Sequence, residues 1–245
     1  MELLGIDTGG SSLKAASVDV TTGVLTSPVL SFPTPAPATP AAIGGVVRQI
    51  VQAFPAQGGP VGFAFPTVVS GGVARTAANV DRSWVGTDGV RLIREATGRP
   101  AAFLNDADAA GLAEIRVGAG SRHAGTVVML TFGTGIGSAV FHDGHLLPNT
   151  EFGHMEIRGM EAEHRASGRV RTVEGLSWPE WSERVSEVLH RFHQLLWPDL
   201  FILGGGVVEN WASFGPLLDS PTPVVPAELG NTAGIVGAAL AAAEL

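Results

Sequence analysis

The chain has no cysteine and a single lysine. The first absence excludes disulfides and any thiolate-held metal. The second leaves Lys14 as the one ammonium among 15 basic residues, beside a glycine turn where a point charge can approach a phosphate. No apolar run approaches the roughly 18 residues that a membrane span requires. The stretch Met1–Asp7 has no basic region leading into a long apolar segment, so it reads as a strand and not as a signal peptide. A cytoplasmic protein without a membrane partner is expected. Basic charge is also scarce: the net charge of −8 argues against nucleic acid as a partner.

What is present is a core-forming composition, 45% hydrophobic over 245 residues, enough for one large domain or two small ones. Residues 3–7 and 13–20 are apolar stretches split by Asp7-Thr8-Gly9-Gly10-Ser11-Ser12, a hairpin with a glycine-rich turn. Without Cβ atoms, Gly9 and Gly10 let backbone N–H groups converge on an anion. Asp7, at the strand end, is placed to hold a metal ion through water. Residues 23–31 read as a third strand, Pro40–Phe54 as a helix, Val61–Phe65 as a buried strand, and 66–75 as short strands around Gly71-Gly72. Asp88–Thr97 reads as a helix stopped by Gly98 and Pro100.

Leu104-Asn105-Asp106-Ala107-Asp108-Ala109-Ala110-Gly111 follows the strand-like run 101–104 and opens a helix from Ala107 to about Gly118. That puts a carboxylate at a strand's carboxyl end, where open α/β sheets place their ligands. Asn105 and Asp106 also suit a helix N-cap. Thr126–Phe132 is a second strongly apolar strand, followed by Gly133-Thr134-Gly135-Ile136-Gly137-Ser138 and a strand over Ala139–Phe141. Strand, glycine turn, strand in each half suggests a duplicated fold. Asn149–Glu163 is a loop dense in Glu151, His154, Glu156, Glu161 and Glu163. Ser177–Trp197 is an amphipathic helix, Asp199–Leu203 a strand leading into Gly204-Gly205-Gly206, and Asn231–Leu245 a terminal helix capped by Asn231. Glycine cradles, a carboxylate beside them and a polar loop are the parts that phosphoryl transfer needs.

The motifs resemble those of one family. Asp7–Lys14, D-T-G-G-S-S-L-K, and Leu130–Ser138, L-T-F-G-T-G-I-G-S, are similar to the two phosphate loops of sugar kinases with the actin/hexokinase fold. L-N-D-A-D-A-A-G and E-F-G-H-M-E resemble the sugar-site motifs of the ROK family (repressors, open reading frames, kinases). F-P-T-V-V, R-T-A-A-N-V-D-R-S-W-V-G-T-D and L-L-W-P-D-L-F-I-L-G-G-G resemble its polyphosphate-using glucokinase branch. The likeness covers nearly the whole chain.

The resemblance implies an α/β, two-domain actin-like/hexokinase (ribonuclease H-like) fold, with mixed sheets and a cleft that closes to exclude water. The expected division is 1–105 and 106–230, with the last helix, 231–245, packing back on the first part. It implies a glucokinase moving a phosphoryl group from inorganic polyphosphate, and from ATP beside it, to the 6-hydroxyl of glucose with Mg²⁺, as a homodimer. The alternatives are an ATP-dependent glucokinase, another hexose kinase of the family, and a non-catalytic sugar-binding regulator. Regulators of the family carry a helix-turn-helix, and none is expected ahead of a strand that begins at residue 3. Asp106 becomes the catalytic base. Asn79, Asn105, Glu151, His154 and Glu163 become sugar ligands. Asp7, as the Mg²⁺-positioning residue, joins Gly9, Gly10, Ser11, Lys14, Thr134, Gly135, Gly205 and Gly206 around the phosphates or nucleotide. Typical members hold zinc with cysteines after the G-H histidine; this chain has none, so no zinc site is expected. Val207-Val208-Glu209-Asn210 stands where the polyphosphate branch often carries lysines. Arg165, Arg169 and Arg171 are the cations expected along a polyanionic donor.

Overall fold

A computed structural model describes residues 1–55, 58–78 and 80–245. The first stretch of secondary structure comprises β1 (Glu2–Thr8), β2 (Ser12–Asp19), β3 (Val24–Leu25), β4 (Leu30–Pro33), α1 (Pro40–Ala53), β5 (Val61–Phe65), β6 (Val69–Ser70), β7 (Val73–Ala74), α2 (Gly89–Thr97), β8 (Ala101–Asn105) and α3 (Asp106–Val117). The second comprises β9 (Thr126–Phe132), β10 (Ile136–His142), β11 (His145–Leu147), β12 (Glu156–Ile157), β13 (Met160–Glu161), α4 (Ala162–Ala166), α5 (Gly168–Glu174), α6 (Trp178–Leu196), β14 (Leu200–Gly204), α7 (Trp211–Phe214) and β15 (Val224–Pro226). The last helix is α8 (Ala233–Ala242). The chain divides into two compact units, Met1–Ala113 with Thr232–Leu245, and Glu114–Asn231.

In the first unit the strand order is β3-β2-β1-β5-β8, with β4 also on β2. β1 and β2 are antiparallel, while β1, β5 and β8 run parallel. The interior strand β5 is buried at every residue, so it reads as a continuous apolar run. Phe63, Phe65, Trp84 and Phe103 form an aromatic stack at the heart of the core, with ring centroids 4.1–6.2 Å apart, and α1 and α2 supply Ile43, Val47, Ile50 and Ile93. The expected single strand over residues 23–31 is two strands. Its halves pair with different parts of β2, Val18–Asp19 and Ser12–Ala15.

The helix α8 lies on β1 and β5 through a seam of glycines. A Cβ at Gly5 or Gly62 would collide with the α8 backbone at Ile235 or Ala238, and one at Gly237 with the α3 backbone at Ala109. Backbone meets backbone, so no side chain separates the helix from the strands at these glycines. Its N-cap is Thr232 and not Asn231, whose amide instead donates to Glu209 Oε1 at 3.3 Å.

In the second unit the order is β11-β10-β9-β14-β15, with β9, β14 and β15 parallel and β10 and β11 antiparallel. β10 begins at Ile136, earlier than the glycine turn suggests, because Gly137 and Ser138 pair with Thr131 and Leu130. α6 starts with a capping box, Ser177 and Glu180, worth about 1 kcal/mol. Its buried face carries Trp181, Val185, Leu189 and Phe192. The stretch 162–174, which gives no helical signal, forms α4 and α5. Trp181 holds their junction by donating its indole N–H to the carbonyl of Ala166 at 2.9 Å. Among the described residues no helix is long and apolar enough to cross a membrane.

Candidate active site

In the first unit β1 delivers Asp7, the β1–β2 turn delivers Gly9, Gly10 and Ser11, and β2 returns Lys14 opposite Asp7 in register. The turn is pinned by Gly9 N–H to the Ser12 carbonyl at 2.9 Å and by Thr34 Oγ1 to the Gly9 carbonyl at 2.8 Å. A Cβ on Gly10 would meet nothing within 4 Å, so that side of the turn is open. Asp106 stands at the start of α3, just past the end of β8. Asn105 is buried, and its Oδ1 accepts the N–H groups of Ala107 and Asp108 at 2.8 and 3.0 Å while its Nδ2 donates to the Thr67 carbonyl at 3.1 Å. Asn105 therefore caps α3, leaving one amide hydrogen for a ligand. Asn79 lies outside the described residues.

Asp7 and Asp106 form an acidic pair without an ion-pair partner among the described residues. Both are partly buried. Burial first, then the Asp106 carboxylate, pushes the Asp7 carboxyl up to about 6, against the pull of Lys14. Burial also raises Asp106, opposed by its hydrogen bonds to backbone N–H groups, Ala107 at 2.9 Å among them. Gly234, in the first turn of α8, lies so close that a Cβ there would sit 2.6 Å from Asp7 Cγ. The positive end of a helix dipole thus faces this carboxylate. Sequence patterning missed Gly234; its only trace is a glycine in the first turn of an otherwise alanine-rich helix. Two desolvated carboxylates beside an open glycine turn suit a hard divalent cation such as Mg²⁺.

In the second unit Thr134 is exposed on the β9–β10 turn, which closes through Gly133 N–H to the Gly135 carbonyl at 3.0 Å. Gly135 has a specific reason to lack a side chain: a Cβ would strike the Glu163 carboxylate, whose Oε2 also accepts the Ile136 N–H at 3.4 Å. The glycine turn and the polar loop are therefore one construction. Gly205, at φ +85°, brings its Cα against the Phe132 carbonyl, where a Cβ would be 2.6 Å away. Gly206 follows it at the exposed end of β14.

His154 ends a 3-10 turn, Phe152–His154. Its Nδ1 is 2.9 Å from Glu161 Oε2 and 3.9 Å from Glu163 Oε1, and its Nε2 is 3.8 Å from Glu151 Oε2. The structure thus brings Glu151, His154 and Glu163 together and adds Glu161. The Glu161 hydrogen bond raises the His154 pKa, burial opposes it, and the fields of Glu163, Glu161 and Glu151 add to it. His154, Glu161 and Glu163 also present three possible metal-ligand atoms within 4.8 Å. The cysteine donor set of typical members is missing, so their zinc site does not fit here.

The three arginines differ. Arg165 is bound to Glu187, and Arg171 lies over the Trp178 ring at 3.5 Å. Arg169 is exposed, makes no ion pair among the described residues, and donates its backbone N–H to the Gly133 carbonyl at 2.9 Å. Arg165 and Arg171 are committed to their own unit, and only Arg169 stands uncommitted beside the second glycine turn.

Comparison with known proteins identifies the family. Residues 3–176 match the model of the ROK family. The chain is 52% identical over 238 residues to a polyphosphate glucokinase of Mycobacterium tuberculosis, covering 97% of this chain and 89% of that protein. It is 50% identical to the polyphosphate glucokinase of Mycobacterium leprae, covering 97% and 73%. The crystal structure of an inorganic polyphosphate/ATP-glucomannokinase from Arthrobacter sp. strain KM superposes with a TM-score of 0.94 at 46% identity, covering 99% of this chain and 98% of that one. The chain belongs to the ROK family and has the actin/hexokinase-like fold of its sugar kinases.

Proposed function

We propose that this protein is a glucokinase that transfers a phosphoryl group to the 6-hydroxyl of glucose from inorganic polyphosphate, and from ATP as a second donor. The observation that carries this reading is the 52% identity, across nearly the whole chain, to a polyphosphate glucokinase. The geometry supports the roles. Asp106, its carboxyl raised by burial, accepts the proton of the attacking hydroxyl. A base with a raised pKa takes that proton more readily as the bond to phosphorus forms. Glu151, His154 and Glu163 accept and donate hydrogen bonds to the sugar hydroxyls. The N–H groups around Gly9, Gly10, Thr134 and Gly135 hold phosphate oxygens, with Ser11 and Lys14 beside the first turn and Gly205 and Gly206 on the donor. Magnesium, when bound through Asp7, offsets charge on the transferring phosphate.

Arg169 is the cation best placed for a polyanionic donor, since Arg165 and Arg171 are already engaged. Cytoplasmic location and a homodimer belong to the same reading. Mannose is the second acceptor to test, given the match to a glucomannokinase. The experiment is a side-by-side assay of glucose and mannose with ATP and long-chain polyphosphate across a salt series, with sizing by light scattering. Polyphosphate KM is expected to rise more steeply with salt than ATP KM, because exposed charges are screened beyond about 8–10 Å, and Arg169→Ala should flatten that difference. Turnover with ATP but none with polyphosphate of any length at low salt would establish an ATP-dependent glucokinase instead.

A further inference from the structure

We infer that Glu161 is the positioning residue of the sugar site: its carboxylate takes the Nδ1 hydrogen of His154 and thereby commits Nε2 to the sugar. This rests on the reading of His154 as a glucose ligand. A neutral imidazole carries one hydrogen, and the partner of one nitrogen decides what the other can do. Of the three carboxylates around His154, only Glu161 is at hydrogen-bond distance, 2.9 Å against 3.8 Å for Glu151 and 3.9 Å for Glu163. An ionised carboxylate only accepts, so Nδ1 must be the protonated nitrogen. In the neutral ring Nε2 is then left with a lone pair for a sugar hydroxyl, and protonation of the ring turns that acceptor into a donor.

The surroundings of Glu161 fix it for this task. It occupies the N-cap of α4, yet its side chain makes no capping bond, which is the ordinary use of an acidic residue there. It closes the β12–β13 hairpin, where Glu161 pairs with Glu156 and Ile157 with Met160. The two turn residues, Arg158 and Gly159, have φ of +54° and +82°, the left-handed pair that matches strand twist. Arg158 is bound to Glu187 of α6 at 2.9 Å, and Glu187 is gripped a second time by Arg165 of α4. The hairpin and the helix on either side of Glu161 are therefore tied to the same carboxylate.

The groups facing His154 are Glu151, Glu161 and Glu163, and His164 lies 3.8 Å from both Glu161 and Glu163. Since the Glu161 hydrogen bond is the largest influence raising His154, removing its charge must move the His154 titration to lower pH. The full chain would be examined by long-range ¹⁵N NMR of histidine without ligand, and by glucose KM against pH, for the wild type, Glu161→Gln, Glu161→Ala and His154→Ala. The expected results are an Nδ1–H tautomer in the wild type and a His154 titration shifted to lower pH in Glu161→Gln, with the inflection of glucose KM moving alongside it. Glu161→Ala should raise glucose KM roughly tenfold with kcat little changed, and should add nothing on top of His154→Ala. If His154→Ala leaves glucose KM unchanged, the sugar-site reading itself fails. If His154→Ala raises it while both Glu161 variants keep the wild-type tautomer, titration and KM, the role of Glu161 alone is overturned. Stoichiometric zinc uptake by the purified protein, with the hydrogen moved to Nε2, would also overturn it.

Discussion

The two units carry sheets of the same strand order, each opened by a strand, a glycine turn and an antiparallel strand, yet they treat carboxylates in opposite ways. In the first, Asp7 and Asp106 are partly buried beside an open turn, with Lys14 and the N-terminal end of α8 facing Asp7. In the second, Glu151, Glu161 and Glu163 reach solvent and surround a histidine, and the glycine turn is filled from behind by Glu163. Desolvation without a partner raises a carboxyl's proton affinity and costs stability, whereas exposed, partnered carboxylates cost little and orient hydroxyls. One scaffold thus carries two kinds of carboxylate environment, the first proposed for proton transfer and the second for sugar recognition.

The comparison breaks hardest at Asp106. Asp106→Asn should keep the fold and bind glucose, but lose about 10²–10⁴ in kcat. Steady-state kinetics beside a direct glucose titration would show it, and a near-wild-type kcat would remove the base from the first unit. Next is Asp7. Its folded pKa is raised from 3.8 to about 6, so the folded state binds the proton more tightly than the unfolded one. Stability from this group is present below pH 4 and is lost as pH rises to 6. Asp7→Asn should therefore be more stable than the wild type by about 1–3 kcal/mol at pH 7 without Mg²⁺, with no gain at pH 4 and with activity reduced. Urea melts at the two pH values test this; equal gains at both would show that burial is not the cause. The smallest effect separates the two turns. Gly135→Ala should displace Glu163 and raise glucose KM by roughly three- to tenfold, while Gly10→Ala, with open space around it, should leave glucose KM alone. Equal KM values in the two variants would dissolve the distinction.

Much of this architecture is written in local pattern. β5 and β9 coincide with apolar runs because interior strands are buried on both faces, and α6 announces its start with Ser177 and Glu180. Asn105 and Asp106 are legible as a strand-end pair, and the ROK motifs point to the family that the chain belongs to. What local pattern does not hold is tertiary. α4 and α5 have few apolar residues of their own and depend on Trp181 reaching their junction. Glu161 looks like one acid among several in its loop, since its bond to His154 spans a turn and a hairpin. Glu114 is similar: nothing in its helix marks it, yet it is fully buried and accepts backbone N–H groups from Ala119, Glu228 and Leu229 at 2.8–3.2 Å.

The glycine seam under α8 also bears on the order in which the molecule can be made. Residues 1–113 leave the ribosome with the α8 side of β1 and β5 lacking its cover, because the helix that lies on Gly5 and Gly62 is encoded some 120 residues later. The sheet bearing Asp7 must wait, through synthesis of the whole second unit, for residues 232–245. Contacts that distant in sequence are slow to form and leave apolar strands uncovered meanwhile. The second unit is continuous in sequence and can finish first, so the cover over the sheet that bears Asp7 is the last part of the protein to be set in place.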